Sequence, residues 1–529
     1  MPDADTATDP DALEIPFRTL GAAFADFAAR HPDKTAIHSI DQNVSLDFAS
    51  LHDLVERAAA RFAALGVTRG DRVAILAGEC IEKLVLMFAA WRCGASACPF
   101  HAEIDADHLA QILRTISPAL VVWRDDIDGA ALTAGLGCAT PSFAALDETD
   151  GFFATLEQGI EAAASLPPAG SEYGPGDEGC IFATSGTTDR PKCVVWDHLG
   201  LWLCGLSTIH FTGMTADDRL LEYRTFSWLS PQIVTFMPFV SLGLTVVMAD
   251  GFSRSRFFGW VRDHRITVAA GVPTVINILL DDPVDVAPED IATLRVMTAS
   301  SAPLAPERWR QFEERYGIRL LQFYGASEGG WLCGNRHDMC RIGTAGPPAR
   351  HMDLAIVDAA GEVCPPGVEG EITICGPQTA TATITSDGVW EDRTPFRLAE
   401  RTRVGDLGIL DKDGFVTVTG RVKDVILRGG ASIAPLEIDA AVMRHPAVHE
   451  AAAIGVPDRI WGEEIVCYVV PAAGAQLSES DVLAHAASLL PDFKRPRRIA
   501  FVDALPKNDR GKVRREDLKR MWAESVQPA

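Results

Sequence analysis

Nine consecutive residues, Thr184-Ser185-Gly186-Thr187-Thr188-Asp189-Arg190-Pro191-Lys192, are rich enough in hydroxyls to grip a polyphosphate. The hydroxyls of Thr184, Ser185, Thr187 and Thr188 and the Gly186 amide can wrap terminal phosphates, with Lys192 adding charge at the far end. Cys180 to Ala183 before the loop and Val194-Val195-Trp196 after it read as strands. The segment is therefore not a G-x-x-x-x-G-K-[ST] loop opening a helix. Taken alone, an ordinary hydroxyl-rich hairpin turn fits the same residues. A second cation stands far downstream, in Pro506-Lys507-Asn508-Asp509-Arg510-Gly511-Lys512, where a glycine turn presents Lys512. Together the two segments suggest a small terminal domain carrying an ammonium group to a nucleotide held by a large one.

Two further segments suit the same ligand. Tyr324-Gly325-Ala326-Ser327-Glu328 combines an aromatic face, a permissive glycine and a carboxylate able to hold Mg²⁺ against phosphates. Val404-Gly405-Asp406 places a carboxylate where it can accept bonds from both ribose hydroxyls, and Arg421 follows at a domain junction. A rival reading rests on the same residues. Gly325-Ala326-Ser327-Glu328-Gly329 fits G-x-S-x-G, the elbow of a serine hydrolase with Ser327 as nucleophile, although no H-G-G-G run precedes it.

The chemistry needs a scaffold, and the bulk composition allows one. With 529 residues, 47% of them hydrophobic, the chain can bury several cores. A formal net charge of -24 argues against nucleic-acid and anionic-membrane partners, so an anionic substrate must meet local positive charge. The twelve cysteines form no C-x-x-C pair and read as reduced residues of a cytoplasmic protein. The acidic start, Met1-Pro2-Asp3-Ala4-Asp5, lacks the pattern of an export signal. Residues 225–249 carry no charge, yet Pro238, Gly243 and several polar residues interrupt them, which favours a buried helix and strand over a membrane span.

Helices and strands alternate in the manner of a parallel sheet. Leu51, Leu54, Val55, Ala58, Phe62 and Leu65 share one helical face, capped by Ser50 and stopped by Gly66, and Arg72 to Leu76 follows as a strand. The pattern recurs with Leu304, Trp309, Phe312, Tyr316, the stop at Gly317 and a strand from Ile318 to Tyr324. Tyr324 to Glu328 thus falls at a strand's C-terminal end, where open α/β sheets place ligands. Residues 350–420 look richer in short strands, and the last hundred or so residues read β, α, β, β, α.

The ordered set of motifs resembles the adenylate-forming superfamily of acyl-CoA synthetases, nonribosomal-peptide adenylation domains and beetle luciferases. Residues 184–192 are similar to its T-S-G-T-T-G-x-P-K, 324–328 to Y-G-x-T-E and Gly405-Asp406 to its ribose-binding G-D. Gly420 to Glu437 resembles G-R-x-K-D-x-I-x-x-x-G-x-x-I-x-P-x-E, and Pro506 to Lys512 resembles P-K-x-x-x-G-K. The resemblance implies an α/β fold: a large N-terminal domain (1–420) of two α/β subdomains plus a distorted β-barrel, and a small mobile α+β C-terminal domain (421–529) turning about Lys423.

The implied activity is that of an AMP-forming acid:CoA ligase using ATP, Mg²⁺ and coenzyme A. A carboxylate attacks the α-phosphate, pyrophosphate leaves, and a thiol then displaces AMP. By resemblance, Lys512, Glu328 and Thr184 are catalytic, with Glu328 and Thr184 at the metal. Thr184, Ser185, Gly186, Thr187, Thr188, Lys192, Ser300, Ser301, Ala302, Phe323, Tyr324, Gly325, Ser327, Asp406, Arg421 and Lys512 then hold the nucleotide. The acyl pocket falls to Phe226, Ser227, Trp228, Gln232, Val272, Ala299, Gly329, Gly330 and Trp331, and coenzyme A to Gly429, Gly430, Phe493 and Arg495. Lys494, Arg495, Arg497 and Arg498 form a basic cluster suited to coenzyme A phosphates, or a solvated strand edge. A carrier-protein phosphopantetheine is the alternative thiol donor, and a catalytically dead nucleotide-binding module the remaining alternative. A monomer or homodimer is implied.

Two departures from the pattern matter. Ser227-Trp228 stands where amino-acid-activating relatives carry an aspartate after the phenylalanine, so a free amino acid is disfavoured; a small or medium carboxylic acid is favoured, with a polar group on it that Ser227, Ser230, Gln232 or Ser300 could hydrogen-bond. Trp228 could gate the pocket and Trp331 cap it, or both could be plain core. Asp189 stands where the phosphate loop usually has glycine, and a carboxylate beside triphosphate is repulsive. Asp189→Gly is therefore expected to lower the Michaelis constant for ATP; steady-state kinetics giving an unchanged or higher value would reject that idea.

Overall fold

In this computed structural model, residues 15–101, 106–124, 127, 129, 133, 136–143, 165–184, 192–385, 387–393, 400–428, 431–507 and 512–526 are described. Two eight-stranded sheets make up the larger part. In one, the strands Thr35–Ser39, Thr245–Met248, Arg219–Glu222, Val268–Ala269, Val296–Ala299 and Arg319–Ala326 run parallel, with antiparallel edges at Val44–Asp47 and Gly330–Gly334. The other is parallel through Leu120–Arg124, Arg72–Leu76, Ser96–Phe100 and Glu178–Thr184, then turns antiparallel at Lys192–Asp197. Strands covered on both faces read as continuous apolar runs, as Arg72–Leu76 and Ser96–Phe100 do.

The core between the sheets is aromatic. Phe24, Phe48, Phe88 and Phe239 are all buried and stack or meet edge-on at centroid separations of 5.1 to 6.1 Å. Helix Ile81–Arg92 is buried along its whole length between these layers, which explains why its sequence is apolar with little amphipathic rhythm.

Local expectations hold with one instructive shift. The helix assigned to the residues around Leu51 runs Phe48–Ala64; its cap is Asp47, whose carboxylate accepts the Ser50 amide at 2.7 Å, so Ser50 is the recipient and not the cap. Helix Pro306–Tyr316 ends at Gly317 in the left-handed region, φ 67°, where a side chain would be strained. The uncharged stretch is one helix running through Leu229–Pro231, Gln232–Phe236 and Met237–Leu242, its middle portion a π-helix, followed by strand Thr245–Met248. Among the described residues no helix is long and apolar enough to cross a membrane.

The β-rich portion is an open four-stranded antiparallel sheet of Asp353–Val357, Glu369–Cys375, Thr402–Leu410 and Val416–Arg421. Four strands are too few to close on themselves, so among the described residues the expected distorted barrel is an unclosed sheet. Beyond it, Ile426–Arg428, Ala431–Ile433, Val448–Asp458, Gly462–Pro471 and Arg498–Phe501 make a separate sheet. One face packs on helices Pro435–Met443 and Glu479–Leu489 through Ile438, Val442, Val482 and Ala486. The other buries Leu518 of helix Arg515–Val526 against Ile454, Val466 and Tyr468.

Candidate active site

Register brings the segments expected to hold the nucleotide together. Val296–Ala299 and Arg319–Ala326 are adjacent parallel strands with Ala299 opposite Gln322, so Ser300 to Ala302 and Phe323 to Gly325 leave neighbouring C-terminal ends. Ser301 is held at φ 72°, a left-handed conformation uncommon for a residue with a side chain, and Ser300 Oγ is buried without a partner among the described residues. The Tyr324 hydroxyl donates to the Asp406 carboxylate. Burial, then the Asp406 charge, pushes the Tyr324 phenol well above its ordinary range, so it stays a donor. Asp406 pairs in register with Arg421, whose Nε lies 3.1 Å from its carboxylate. Glu371, Val404, Gly405, Asp406, Arg421, Val422 and Lys423 line a cleft of about 440 Å³.

The tail lysine reaches this cluster. Arg421, Asp406, Asp424 and Lys423 are the charges that act on Lys512, and burial followed by the Arg421 charge lowers its pKa to about 8. Arg515, at the start of the next helix, ties that helix to the terminal sheet: its guanidinium pairs with the Asp439 carboxylate and donates to the Ala453 carbonyl at 3.1 Å. Asp439 also accepts the Ala453 amide at 2.6 Å, and burial raises its pKa to about 6. Lys507 pairs with Glu450 at the other end of the loop. Neither the Asp439–Arg515 lock nor its role was visible in the sequence beyond a basic residue three places after Lys512.

The two ends of the expected phosphate loop lie on the paired antiparallel strands Glu178–Thr184 and Lys192–Asp197, with Thr184 opposite Lys192. Ser185, Gly186, Thr187, Thr188 and Asp189 lie outside the described residues, as do Gly429 and Gly430. Trp196, on the strand leaving the loop, donates its indole N–H to the Ser327 carbonyl at 3.2 Å, and the Glu328 carbonyl accepts the Ala380 amide at 2.9 Å. The turn carrying Glu328 is thereby tied to the hairpin. Ser327 does not sit on a nucleophile elbow: its strand turns into an antiparallel partner, Gly330–Gly334, where the elbow requires a helix. Gly325 is required by that turn, because a Cβ there would lie 2.3 Å from the Gly330 carbonyl oxygen.

Around the expected acyl pocket, Phe226 stacks on Phe236 at 4.4 Å, and the Gln232 amide donates to the Phe226 carbonyl. Trp331 is buried, its indole N–H donated to Thr208 at 2.8 Å, and Trp228 is half-buried. Ala299 is buried, Val272 caps helix Pro273–Asp281, and a Cβ on Gly330 would strike Cys204 Sγ at 2.3 Å. Sequence reasoning missed the ionic groups beside this segment. Lys83 and Glu79, both buried, pair at 2.7 Å; Arg224 and Glu222, also buried, pair at 2.7 Å. Lys83 inside an apolar helix was the available signal.

On the terminal sheet, Phe493 is exposed with Lys494 over its ring, and Arg428 lies 4.9 Å over exposed Trp461 while pairing with Glu464. The basic cluster has acidic neighbours throughout: Lys494 with Glu437, Arg495 and Arg497 with Asp492, Arg498 with Glu479. Lys423 sits in the short turn Val422–Asp424. Arg444–Glu307 at 3.7 Å and His449–Asp281 at 3.6 Å connect the terminal sheet's elements to the helices of the larger part.

The strand ends at Ser300 and Tyr324, the Asp406–Arg421 pair and a lysine from a separately cored terminal unit stand together, and the class they point to is that of the adenylate-forming enzymes. The chain belongs to the AMP-binding enzyme family, which it matches over residues 24–382, with the AMP-binding enzyme C-terminal domain matching residues 437–512. It is 32% identical to a sulfoacetate–CoA ligase of Cupriavidus necator across 95% of this chain and 97% of that one. It is 28% identical to an oxalate–CoA ligase of Arabidopsis thaliana across 96% and 99%. The fold superposes on ATP-bound MatB from Rhodopseudomonas palustris with a TM-score of 0.85, at 27% identity, covering 96% of this chain and 100% of that one.

Proposed function

We propose that this AMP-forming acid:CoA ligase activates a small or medium carboxylic acid as its adenylate on the larger part, residues 1–420, and hands it to coenzyme A after residues 421–529 turn about Lys423. The observation that carries the reading is Lys512, drawn from the tail into the Tyr324–Asp406–Arg421 cluster. Asp406 receives the ribose hydroxyls, and Ser300 to Ala302 with Phe323 and Tyr324 bound the base. Lys512 bridges the substrate carboxylate and the α-phosphate, offsetting the repulsion between two anions and stabilising charge that grows on the phosphoryl oxygens. Magnesium comes as part of the MgATP substrate, with Glu328 and Thr184 supplying protein oxygens and phosphates supplying others.

The second half-reaction needs Lys512 withdrawn and a thiol admitted. The exposed aromatic face of Phe493 and Trp461, with Arg428 and Arg495 beside it, suits the adenine and pantetheine of coenzyme A. The relatives' names support coenzyme A as acceptor, since both are CoA ligases. ATP–pyrophosphate exchange against a panel of acids, with and without coenzyme A, tests the reading. Acid-dependent exchange and an acyl-CoA product are expected. Exchange without that product would transfer the second step to a carrier protein, and no exchange would overturn the proposal.

The Lys512 ammonium sets the pH response. Its charged form is the active one and prevails below about pH 8, so kcat/KM for adenylation is expected to be level with respect to this group there and to fall about tenfold per unit above it. Lys512→Arg, which stays charged, removes that alkaline limb at a lower plateau. An unchanged limb in the arginine variant would assign the titration to another group.

A further inference from the structure

Two hydroxyls in the proposed acid-binding segment each accept a hydrogen bond from a buried cation. Lys83 Nζ donates to Ser227 Oγ at 2.8 Å, and Arg224 donates to Ser230 Oγ at 2.8 Å. Both cations are anchored from behind. The three Lys83 donors go to the Ala77 carbonyl at 3.2 Å, to Glu79 and to Ser227. The Arg224 guanidinium grips Glu222 through Nε and a terminal nitrogen at 2.8 and 2.7 Å. The carboxylates are held in turn: Glu79 accepts the Thr225 hydroxyl and the Phe226 amide, and Glu222 accepts the Thr235 hydroxyl.

The direction of these bonds decides what the hydroxyls can do. An oxygen that accepts from a cation turns its own proton away from that cation, and the bond polarises the O–H as a stronger donor. Among the described residues neither the Ser227 nor the Ser230 proton is given to an acceptor. The segment therefore offers two charge-backed O–H donors three residues apart. An apolar acyl tail would leave both unsatisfied, whereas a group rich in acceptor oxygens would satisfy both.

We infer that the acid activated here carries a second oxyanion at its far end, a carboxylate or a sulfonate, received by the Ser227 and Ser230 hydroxyls. The inference rests on the ligase reading above, since it needs Ser227 and Ser230 at the acyl pocket. Lys83 and Arg224 are positioning residues, acting through the serines. The reacting carboxylate lies toward Lys512 and the distal oxyanion toward the serines, so orientation of a symmetric diacid is immaterial and that of a sulfo-acid is fixed.

The test pairs each doubly anionic acid with a shape-matched apolar one: malonate with isovalerate, succinate with isocaproate, sulfoacetate with tert-butylacetate. The wild-type protein is expected to favour one or more of the doubly anionic acids over its match by about tenfold or more in kcat/KM for pyrophosphate release, given how strongly hydrogen-bonding sites reject partners that lack the bond. Ser227→Ala and Ser230→Ala should each narrow that ratio by about tenfold or more while leaving the ATP Michaelis constant near wild type, and Ser227→Thr, which keeps the acceptor for Lys83, should retain it. Apolar acids matching or outperforming their partners in the wild type would overturn the inference while leaving the ligase reading intact. Equal losses for both members of each pair in the alanine variants would also overturn it. No exchange with any acid would sink the ligase reading itself.

Discussion

Lys512→Ala is expected to lower acyl-adenylate formation by about a hundredfold or more while leaving transfer of a preformed acyl adenylate to coenzyme A near the wild-type rate. A single preorganised donor aimed at developing charge is worth that much elsewhere, equivalent to roughly 2.7 kcal/mol of barrier. The location supports the split. Lys512 is set among Asp406, Arg421, Lys423 and Asp424, on the nucleotide side, while the Asp439–Arg515 and Lys507–Glu450 pairs fasten the two ends of its loop to the terminal unit that carries it. A residue that merely stabilised the terminal unit would slow both half-reactions together. Single-turnover measurement of each separates the cases, and unchanged adenylation would remove the lysine from the mechanism.

The part of this site that was legible in the sequence is the part made by backbone-bound motifs. Glycine, proline and hydroxyl spacing marked the connection between Thr184 and Lys192, the turn at Tyr324 to Glu328 and the segment before Lys512, because turn chemistry is local and leaves a local trace. Strand and helix periods likewise located Arg72–Leu76 and Pro306–Tyr316 within a residue or two. What escaped was long-range pairing of charges. Lys83 and Ser227 are 144 positions apart, and Asp439 and Arg515 are 76 apart. A charged residue in an apolar helix announces that a partner exists without saying which. The Ser50 cap shows a finer failure: Asp47 and Ser50 both suit an N-terminus, and only the geometry of the chain entering from Val44–Asp47 selects the aspartate.

The Lys83–Glu79 pair is also the place where a single substitution should cost most stability. Lys83→Met is expected to destabilise the protein by about 3–5 kcal/mol, because it leaves the Glu79 carboxylate buried with only the Thr225 hydroxyl and Phe226 amide to answer its charge. Both side chains are nearly inaccessible, 0% and 3% exposed, so water cannot replace the lost ammonium. Pairing Lys83→Met with Glu79→Gln should recover most of the loss, since removing both charges also removes the desolvation penalty of each. The comparison forms a double-mutant cycle, read as apparent melting temperatures at a fixed scan rate, with a large favourable coupling expected. Additive effects of the two substitutions would mean that the pair does not hold together the junction of the Ile81–Arg92 helix with the segment bearing Ser227. The recovered double variant has a further use: with its fold restored and Ser227 no longer backed by an ammonium, it should discriminate poorly between doubly anionic and apolar acids, separating the pair's structural contribution from its effect on substrate choice.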